Sequence, residues 1–321
     1  MKNLLLASTA LVLSAGVAAA EVAVSGDARM GVASKYDAAT DNTELNFSSR
    51  ARVKFTLSGE TDGGLGFGAS FRADQAGTAK NGTEGSVYVS GAFGKVEMGD
   101  TVSAPEALFG DLPEIGFTDL EMNVNNAVIS SVMPTIGNDV PYITGDNAGG
   151  LTDFTGPAML YTYTTGAISV AASMSDGKRG GVDAAQEYAL AGSYNFGSYA
   201  VGIGYEVLDL DGLGKAKQLG IAGTANFGDT AVKGYYAQGD DLLDGVDTYG
   251  LGVESVFGAT TVKGYYQVID ASDIVGGEKI AAYGIGAEYD LGGGASVAGG
   301  IMDTDEAGTD AVYDLGMKFK F

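Results

Sequence analysis

The segment from Ser48 to Ser58 restricts the fold more than any other part of the chain. Its apolar parity holds Ala51, Val53, Phe55 and Leu57, and its polar parity holds Ser48, Arg50, Arg52, Lys54, Thr56 and Ser58. Side chains alternate between the two faces of a strand, so one face here is apolar and the other carries three cations. A strand of a soluble sandwich would show the same pattern. Because similar segments recur along the chain, and because the last one ends at Phe321, the pattern favours a membrane-spanning β-barrel with a water-filled lumen.

Alternating segments of this kind predict an all-β fold, a transmembrane antiparallel barrel of 16 strands. The first five strands are expected at about 22–34, 45–60, 65–74, 86–92 and 95–100. Eleven more are expected near Met159, Ile168, Tyr188, Tyr199, Gln218, Ala231, Tyr249, Thr261, Ala281, Ala295 and Ala311. Phe-Gly pairs that begin at Phe93, Phe196, Phe227 and Phe257 are interpreted as short turns with the ring at the membrane interface.

Residues 1–20 have the pattern of a cleaved secretory signal peptide. Lys2 precedes an apolar run from Leu4 to Leu13, and three alanines stand before Glu21. Residues 21–321 are then expected to form a single barrel domain, since no later apolar stretch approaches the roughly 20 residues that a membrane helix needs.

Composition argues against several function classes. The chain has neither cysteine nor histidine, which excludes disulfides, metal-thiolate sites and Ser-His-Asp or Cys-His catalysis. Its 41 acidic and 18 basic residues give a net charge of −23, which argues against nucleic-acid binding. No enzyme activity and no required cofactor are therefore expected.

The alternation fails from about 101 to 156, and all five prolines lie between 105 and 157. A loop of this length in a compact domain is usually functional or disordered. Its apolar residues include Leu108, Phe109, Leu112, Ile115 and Phe117. Folding inward against the barrel wall would bury them and leave five carboxylates facing water, namely Glu106, Asp111, Glu114, Asp119 and Glu121.

Five basic residues share the inward parity of the first three strands: Arg29, Arg50, Arg52, Lys54 and Arg72. Scattered, solvated lumen charges would explain them, because the lumen face of a barrel is polar in any case. The more specific interpretation is a pore constriction, with these cations on one wall and the loop carboxylates on the other. Charged walls of this kind set pore selectivity.

The sequence resembles the general porins of purple photosynthetic bacteria, the Rhodobacter-type alphaproteobacterial porins. The matching segments are SGDARMGV (25–32), NFSSRARV (46–53), SGAFGKVEMGD (90–100), EALFGDL (106–112), SVAASMSDGK (169–178) and YDLGGGAS (289–296), with KFKF at the end. The resemblance implies a homotrimer in a Gram-negative outer membrane, with lipid and lipopolysaccharide around it and the third extracellular loop folded into each pore. It also implies a structural calcium ion near that loop, with Glu106 and Asp146 as candidate ligands. The apolar stretch at 122–136 departs from the family pattern and could narrow the pore or lie at a subunit interface.

The first functional prediction is passive diffusion of small hydrophilic solutes and ions through a water-filled channel. An alternative is a substrate-selective channel in which Tyr88, Tyr161 and Tyr235 form a binding track along the lumen. Two hypotheses from other function classes are an outer-membrane hydrolase and a secreted, calcium-dependent adhesin. The absence of histidine weighs against the hydrolase, and a uniformly apolar outward parity would weigh against the adhesin.

Overall fold

The computed structural model describes residues 21–37, 42–74, 85–130, 135–145, 158–175, 178–179, 182–183, 185–210 and 212–321. The expected signal peptide at 1–20 and the candidate calcium ligand Asp146 lie outside these ranges.

The first half of the described chain contains strands and the long loop. Its elements are β1 (Glu21–Asp37), β2 (Asn42–Glu60), β3 (Gly66–Asp74), β4 (Gly85–Gly91), β5 (Gly94–Gly99), α1 (Ala104–Phe109), β6 (Met122–Asn123), α2 (Ala127–Ser130) and β7 (Thr135–Ile136). The two helices and the two short strands β6 and β7 all belong to the loop. None of the described helices is long and apolar enough to cross a membrane.

The second half consists of strands joined by turns. They are β8 (Ala158–Thr165), β9 (Ile168–Ser175), β10 (Lys178–Arg179), β11 (Val182–Asp183), β12 (Ala185–Asn195), β13 (Tyr199–Leu210), β14 (Gly214–Phe227), β15 (Thr230–Asp241), β16 (Asp247–Phe257), β17 (Thr260–Asp270), β18 (Lys279–Gly292), β19 (Ala295–Thr304) and β20 (Val312–Lys320).

Sixteen of these strands form one closed antiparallel barrel. Its order is β1 to β5, β8, β9 and then β12 to β20, and β20 pairs back onto β1 with Arg29 opposite Lys318. Closure leaves no unpaired sheet edge, which is what a strand structure needs inside a lipid bilayer. The pairs β6–β7 and β10–β11 are separate two-stranded sheets. The predicted fold class is confirmed, and each of the sixteen predicted positions lies in a barrel strand or within one residue of one.

The two faces of the wall differ as the alternation predicts. Large apolar side chains point outward, among them Leu251, Ile285 and Leu315, each more than half exposed. The Phe-Gly turns also lie as expected: Gly197, Gly228 and Gly258 have positive φ, and Phe196, Phe227 and Phe257 are exposed beside them. The exposed apolar side chains form the surface that contacts lipid.

The buried core lies inside the barrel, between the long loop and one side of the wall. Leu112, Ile115 and Ile136 of the loop pack in one cluster with Ile280 and Met302 of the wall. A barrel of 16 strands is wide enough to leave a water-filled channel. The apolar packing inside this barrel is therefore supplied by the loop.

Candidate functional site

The long loop enters the lumen through the short helix α1. Ser103 caps the helix by accepting a hydrogen bond from the Glu106 N–H at 3.2 Å, Pro105 lies in its first turn, and Gly110 ends it with a φ of 62°. The helix packs against β9, β12 and β13 on the inner wall, and the Ala104 N–H donates to Ser173 Oγ at 2.9 Å. The sequence Ser-x-x-Glu is a local helix-start signal, so this turn could have been predicted.

Glu106 lies in a position that differs from the predicted one. It was expected to face water, but it is only 7% exposed and belongs to the buried face of α1, together with Ala104 and Pro105. The cap and the proline direct this first turn onto the wall, so the carboxylate goes with it. Of the predicted acidic residues, Glu114 and Glu121 are the ones that are well exposed.

Asp314 and Arg29 hold the middle of the loop from two adjacent strands. Asp314 Oδ2 accepts hydrogen bonds from the N–H groups of Phe117 and Thr118 at 2.9 and 2.7 Å and from Thr118 Oγ1 at 2.6 Å. Arg29 donates to the carbonyls of the same two residues at 3.2 and 2.8 Å. Arg29 was predicted as a pore-lining cation, and in the structure its guanidinium binds the loop backbone.

Other wall residues bind the loop at points spread around the barrel. The acceptors are Glu187 for the Gly145 N–H, Glu206 for the Thr144 hydroxyl, and Glu306 for the N–H groups of Asn125 and Asn126. The donors are Gln218 to the Pro141 carbonyl, Gln267 to the Asp139 carbonyl, and Lys233 to the carbonyls of Phe109 and Asp111. None of these residues was predicted from the sequence. Glu187 and Gln218 did carry a signal, since each is a polar residue on an inward parity that otherwise holds mostly alanine and glycine. Gln267 shares its parity with Lys263 and Tyr265, and Glu306 lies in the connection between β19 and β20, so neither shows this pattern.

The carboxylates of the loop form the acidic side of the candidate site. Burial raises the pKa of Asp119 to about 8, and the nearby carboxylates of Glu114, Asp139 and Glu121 add to this. Asp119 also has a φ of 63°, which is uncommon for a residue with a side chain. Burial likewise raises the pKa of Asp111, although its Oδ1 accepts a hydrogen bond from the Val140 N–H at 2.9 Å. Asp119 is therefore mostly protonated at neutral pH. The exposed carboxylates on this side of the lumen are those of Glu114 and Glu121.

The predicted cations are neighbours across three paired strands. Arg29 lies opposite Arg50 in the β1–β2 ladder, and Lys54 lies opposite Arg72 in the β2–β3 ladder. Arg52 lies opposite Asp27, while Arg50 pairs with the carboxylate of Asp27 at 3.0 Å.

Lys318 on β20 lies opposite Arg29 and adds a sixth cation to this wall. Its charge lowers the pKa of Asp119 and so offsets part of the effect of burial. The structure thus brings the five predicted cations onto one stretch of the inner wall. The acidic segment 114–121 reaches that wall at Arg29.

Of the three tyrosines considered for a binding track, only Tyr88 faces the open lumen, with Lys95 Nζ 4.8 Å from its ring centre. Tyr161 lies on the outward parity of β8, beside Val96 and Ala172 of the adjacent strands. Tyr235 is buried between the wall and the loop, where its hydroxyl accepts a hydrogen bond from Gln267 at 2.8 Å. The three tyrosines do not form a continuous track.

The apolar stretch at 122–136 packs inside the barrel. Met122, Val124, Ile129 and Ile136 are buried in the cluster between loop and wall. Glu306 accepts a hydrogen bond from the Asn126 N–H, just before α2 begins. Asn126 Oδ1 caps that helix by accepting a hydrogen bond from the Ile129 N–H. Residues 131–134 lie outside the described ranges.

The described residues do not by themselves fit a calcium site. Within the ranges that the structure describes, no group of three or more acidic side chains is arranged to hold a metal ion. Of the two candidate ligands, Glu106 is buried against the wall and Asp146 is not described.

Comparisons with known proteins agree with this architecture. Residues 7–309 match the family model described as Gram-negative porin. The chain is 50% identical to a porin of Rhodobacter capsulatus, over 94% of this chain and all of that protein. A refined porin structure superimposes with a TM-score of 0.78 at 49% identity, again over 94% of this chain and all of the other. A triple mutant of Rhodopseudomonas blastica porin gives a TM-score of 0.70 at 22% identity with the same coverage, a likeness of fold alone.

Proposed function

The chain belongs to the Gram-negative porin family and is a general outer-membrane porin channel, and we propose that its loop and its cationic wall together form the pore constriction. The observation that carries this proposal is the position of the loop. It is hydrogen-bonded to the inside of the barrel from β9 round to β1, with Glu114 and Glu121 exposed, while β2 and β3 carry Arg50, Arg52 and Arg72.

Opposite charges on the two sides of a narrow pore produce an electric field across it. Small polar and zwitterionic solutes can orient in such a field, and apolar solutes gain nothing from it, because charged walls determine what passes a pore. No chemical step is involved: solutes move down their concentration gradients. The protein is a channel and not an enzyme.

The selective-channel alternative depends on the tyrosine track. With Tyr161 on the lipid side and Tyr235 covered by the loop, only Tyr88 remains to contact a solute in the lumen. The geometry therefore supports general diffusion.

The test is ion selectivity. Replacing both Arg50 and Arg52 by alanine removes two cations from the proposed constriction and should shift the reversal potential toward cation selectivity under a salt gradient. The matched control is the pair Lys215→Ala and Lys217→Ala, because these lysines lie on the outward parity of β14, paired with Asp209 and Asp241. An unchanged reversal potential in the arginine variant, or an equal shift in the lysine variant, would refute the constriction.

Three finer features of the proposal rest on the family resemblance: a homotrimer, contact with lipopolysaccharide and a calcium ion. A fourth, the cleaved signal peptide, rests on the pattern of residues 1–20. Cross-linking in detergent should give a trimer, and the purified protein should begin at Glu21. Lipopolysaccharide should copurify with the trimer. Calcium binding through Glu106 and Asp146 should appear as a chelator-sensitive melting temperature that Asp146→Asn abolishes.

A further inference from the structure

Glycines line the inner wall where the loop lies against it. Five of them are Gly202 and Gly204 on β13, Gly252 on β16, Gly300 on β19 and Gly316 on β20. A Cβ atom at Gly204 would lie 2.7 Å from Pro105, one at Gly300 would lie 2.5 Å from Ile115, and one at Gly316 would lie 2.8 Å from Phe117. At Gly202 and Gly252 the added atom would meet Phe109 and Pro113. The loop thus occupies the space that side chains would take at these positions.

We propose that these five residues, the glycine seat, determine how far the loop projects into the lumen and hence the size of solute that the pore admits. The inference rests on the proposed function, since it assumes that the loop narrows the pore. It assigns a size-determining role to wall residues that face the loop from behind and do not touch the solute.

Crowding at Gly202, Gly204, Gly252 and Gly300 comes mainly from the loop, whereas at Gly316 the nearest atom is the Met30 carbonyl oxygen of β1, at 2.6 Å. At Gly204, Gly252 and Gly300 the three nearest atoms to an added Cβ all belong to loop residues. Outward-facing glycines of the same wall differ: a Cβ at Gly223 or Gly234 would meet no atom closer than 3.6 Å. An alanine would therefore be accommodated on the lipid side and would collide on the loop side.

The loop, and not the wall, should yield to such a collision. Each seat strand is hydrogen-bonded along its length to a strand on either side, as β13 is to β12 and β14. A Cβ at Gly204 or Gly300 falls about 0.7 or 0.9 Å short of the 3.4 Å at which ordinary contact begins. Close-packed groups cannot absorb that overlap without moving. The loop has open lumen on its other side, so it moves into the pore.

The experiment uses the full-length protein reconstituted in planar bilayers and in liposomes. Gly204→Ala, Gly252→Ala and Gly300→Ala are made singly and together, with Gly223→Ala plus Gly234→Ala as the lipid-side control. The combined seat variant should lose on the order of a third of its single-channel conductance, since conductance follows pore dimensions. Entry of larger sugars should slow more than entry of smaller ones, and the control should match the unmodified protein.

A second variant separates loop displacement from general damage. Pro113 supplies the atoms nearest to a Cβ at Gly252, its Cδ and Cγ. Adding Pro113→Ala to Gly252→Ala removes both atoms and should restore the conductance, or the folding, of the single variant to that of Pro113→Ala alone. Folding is read from heat-modifiable mobility on gels.

Three results would overturn the inference. One is unchanged conductance in the folded seat variant, and another is a double variant that recovers neither conductance nor folding. The third is equal loss in the lipid-side control. If the unmodified protein formed no channel at all, the proposed function would fail first and the inference with it.

Discussion

Replacing Asp314 by alanine is expected to release the middle of the loop from the wall. Asp314 is 5% exposed and lies on the inward parity of β20. It accepts three hydrogen bonds from Phe117 and Thr118 of the loop, and its other oxygen accepts one from the Gly300 N–H at 3.0 Å. Alanine would leave the loop donors in a buried place without their acceptor.

The size of the effect follows from the three loop bonds. Hydrogen bonds to a charged group contribute about 1.5–3 kcal/mol each, and part of this is retained when water reaches the freed donors. We therefore expect the free energy needed to lift this turn off the wall to fall by about 4 kcal/mol. Since about 1.4 kcal/mol corresponds to a factor of ten in an equilibrium, the lifted state should become roughly a thousandfold more populated.

Thiol labelling can measure this population because the chain contains no cysteine. Phe117 is 1% exposed, so Phe117→Cys places a reporter that reacts with a water-soluble reagent only when the turn lifts. Its labelling rate should rise about a thousandfold when Asp314→Ala is added, because the rate follows the lifted population. A reporter made by Glu121→Cys, at an exposed position, should react at the same rate in both backgrounds.

Glu288→Ala provides the comparison for a lost wall carboxylate. Glu288 faces the lumen on β18 and accepts hydrogen bonds from Ser296 and Lys318, both of which are wall residues. Its loss should leave the Phe117→Cys labelling rate unchanged. A rise of less than tenfold with Asp314→Ala, or an equal rise with Glu288→Ala, would refute the assignment of Asp314 as a loop anchor.

Three further outcomes follow from the geometry. Because the pKa of Asp119 is raised to about 8, the stability of the seated loop should fall as pH rises from about 4 to 8, and cation selectivity should increase between pH 6 and 9; reversal potentials check this, and Asp119→Asn should abolish the change. Ile285→Arg places a charge against lipid and should destabilise the barrel by about 2–4 kcal/mol in urea titrations, while the inward change Thr261→Arg should cost far less. Glu306→Ala removes the acceptor of the Asn125 and Asn126 N–H groups and should make the α2 segment sensitive to protease, with unchanged barrel melting as its control.

The barrel could be predicted from the sequence because its wall is one strand thick. Each side chain meets either lipid or the lumen, so a period of two along the chain translates directly into position. The segment from Tyr283 to Leu291 shows this: its odd-numbered residues are apolar and exposed on the outer face. No knowledge of long-range contacts was needed.

The loop could be predicted only in part, for a reason that its contacts make plain. Burial of Leu112, Ile115 and Phe117 followed from their apolar character. The anchors that hold the loop join residues far apart in sequence, such as Thr118 and Asp314, 196 positions apart. Nothing in the local pattern around Asp314 marks it as an anchor. Glu106 was misplaced for the opposite reason, since its local helix-start signal was present and outweighed the general preference of a carboxylate for water.

The way the loop is attached separates its position from its charge. Glu306, Gln267 and Lys233 bind N–H or carbonyl groups of the loop, and Asp314 binds two loop N–H groups besides the Thr118 hydroxyl. Any residue other than proline offers both backbone groups. The glycine seat likewise sets the distance between the loop and the wall, whichever polar side chains of the loop face the lumen.

Exposed charges such as Glu114 and Glu121 can therefore change without loosening the loop. Replacing both by glutamine should shift ion selectivity toward anions while leaving the Phe117→Cys labelling rate unaltered. Asp314→Ala, by contrast, is expected to raise that labelling rate. If the glutamine variant labelled faster, the two properties would be coupled, and the loop would depend on its side-chain charges as well as its backbone to stay in place.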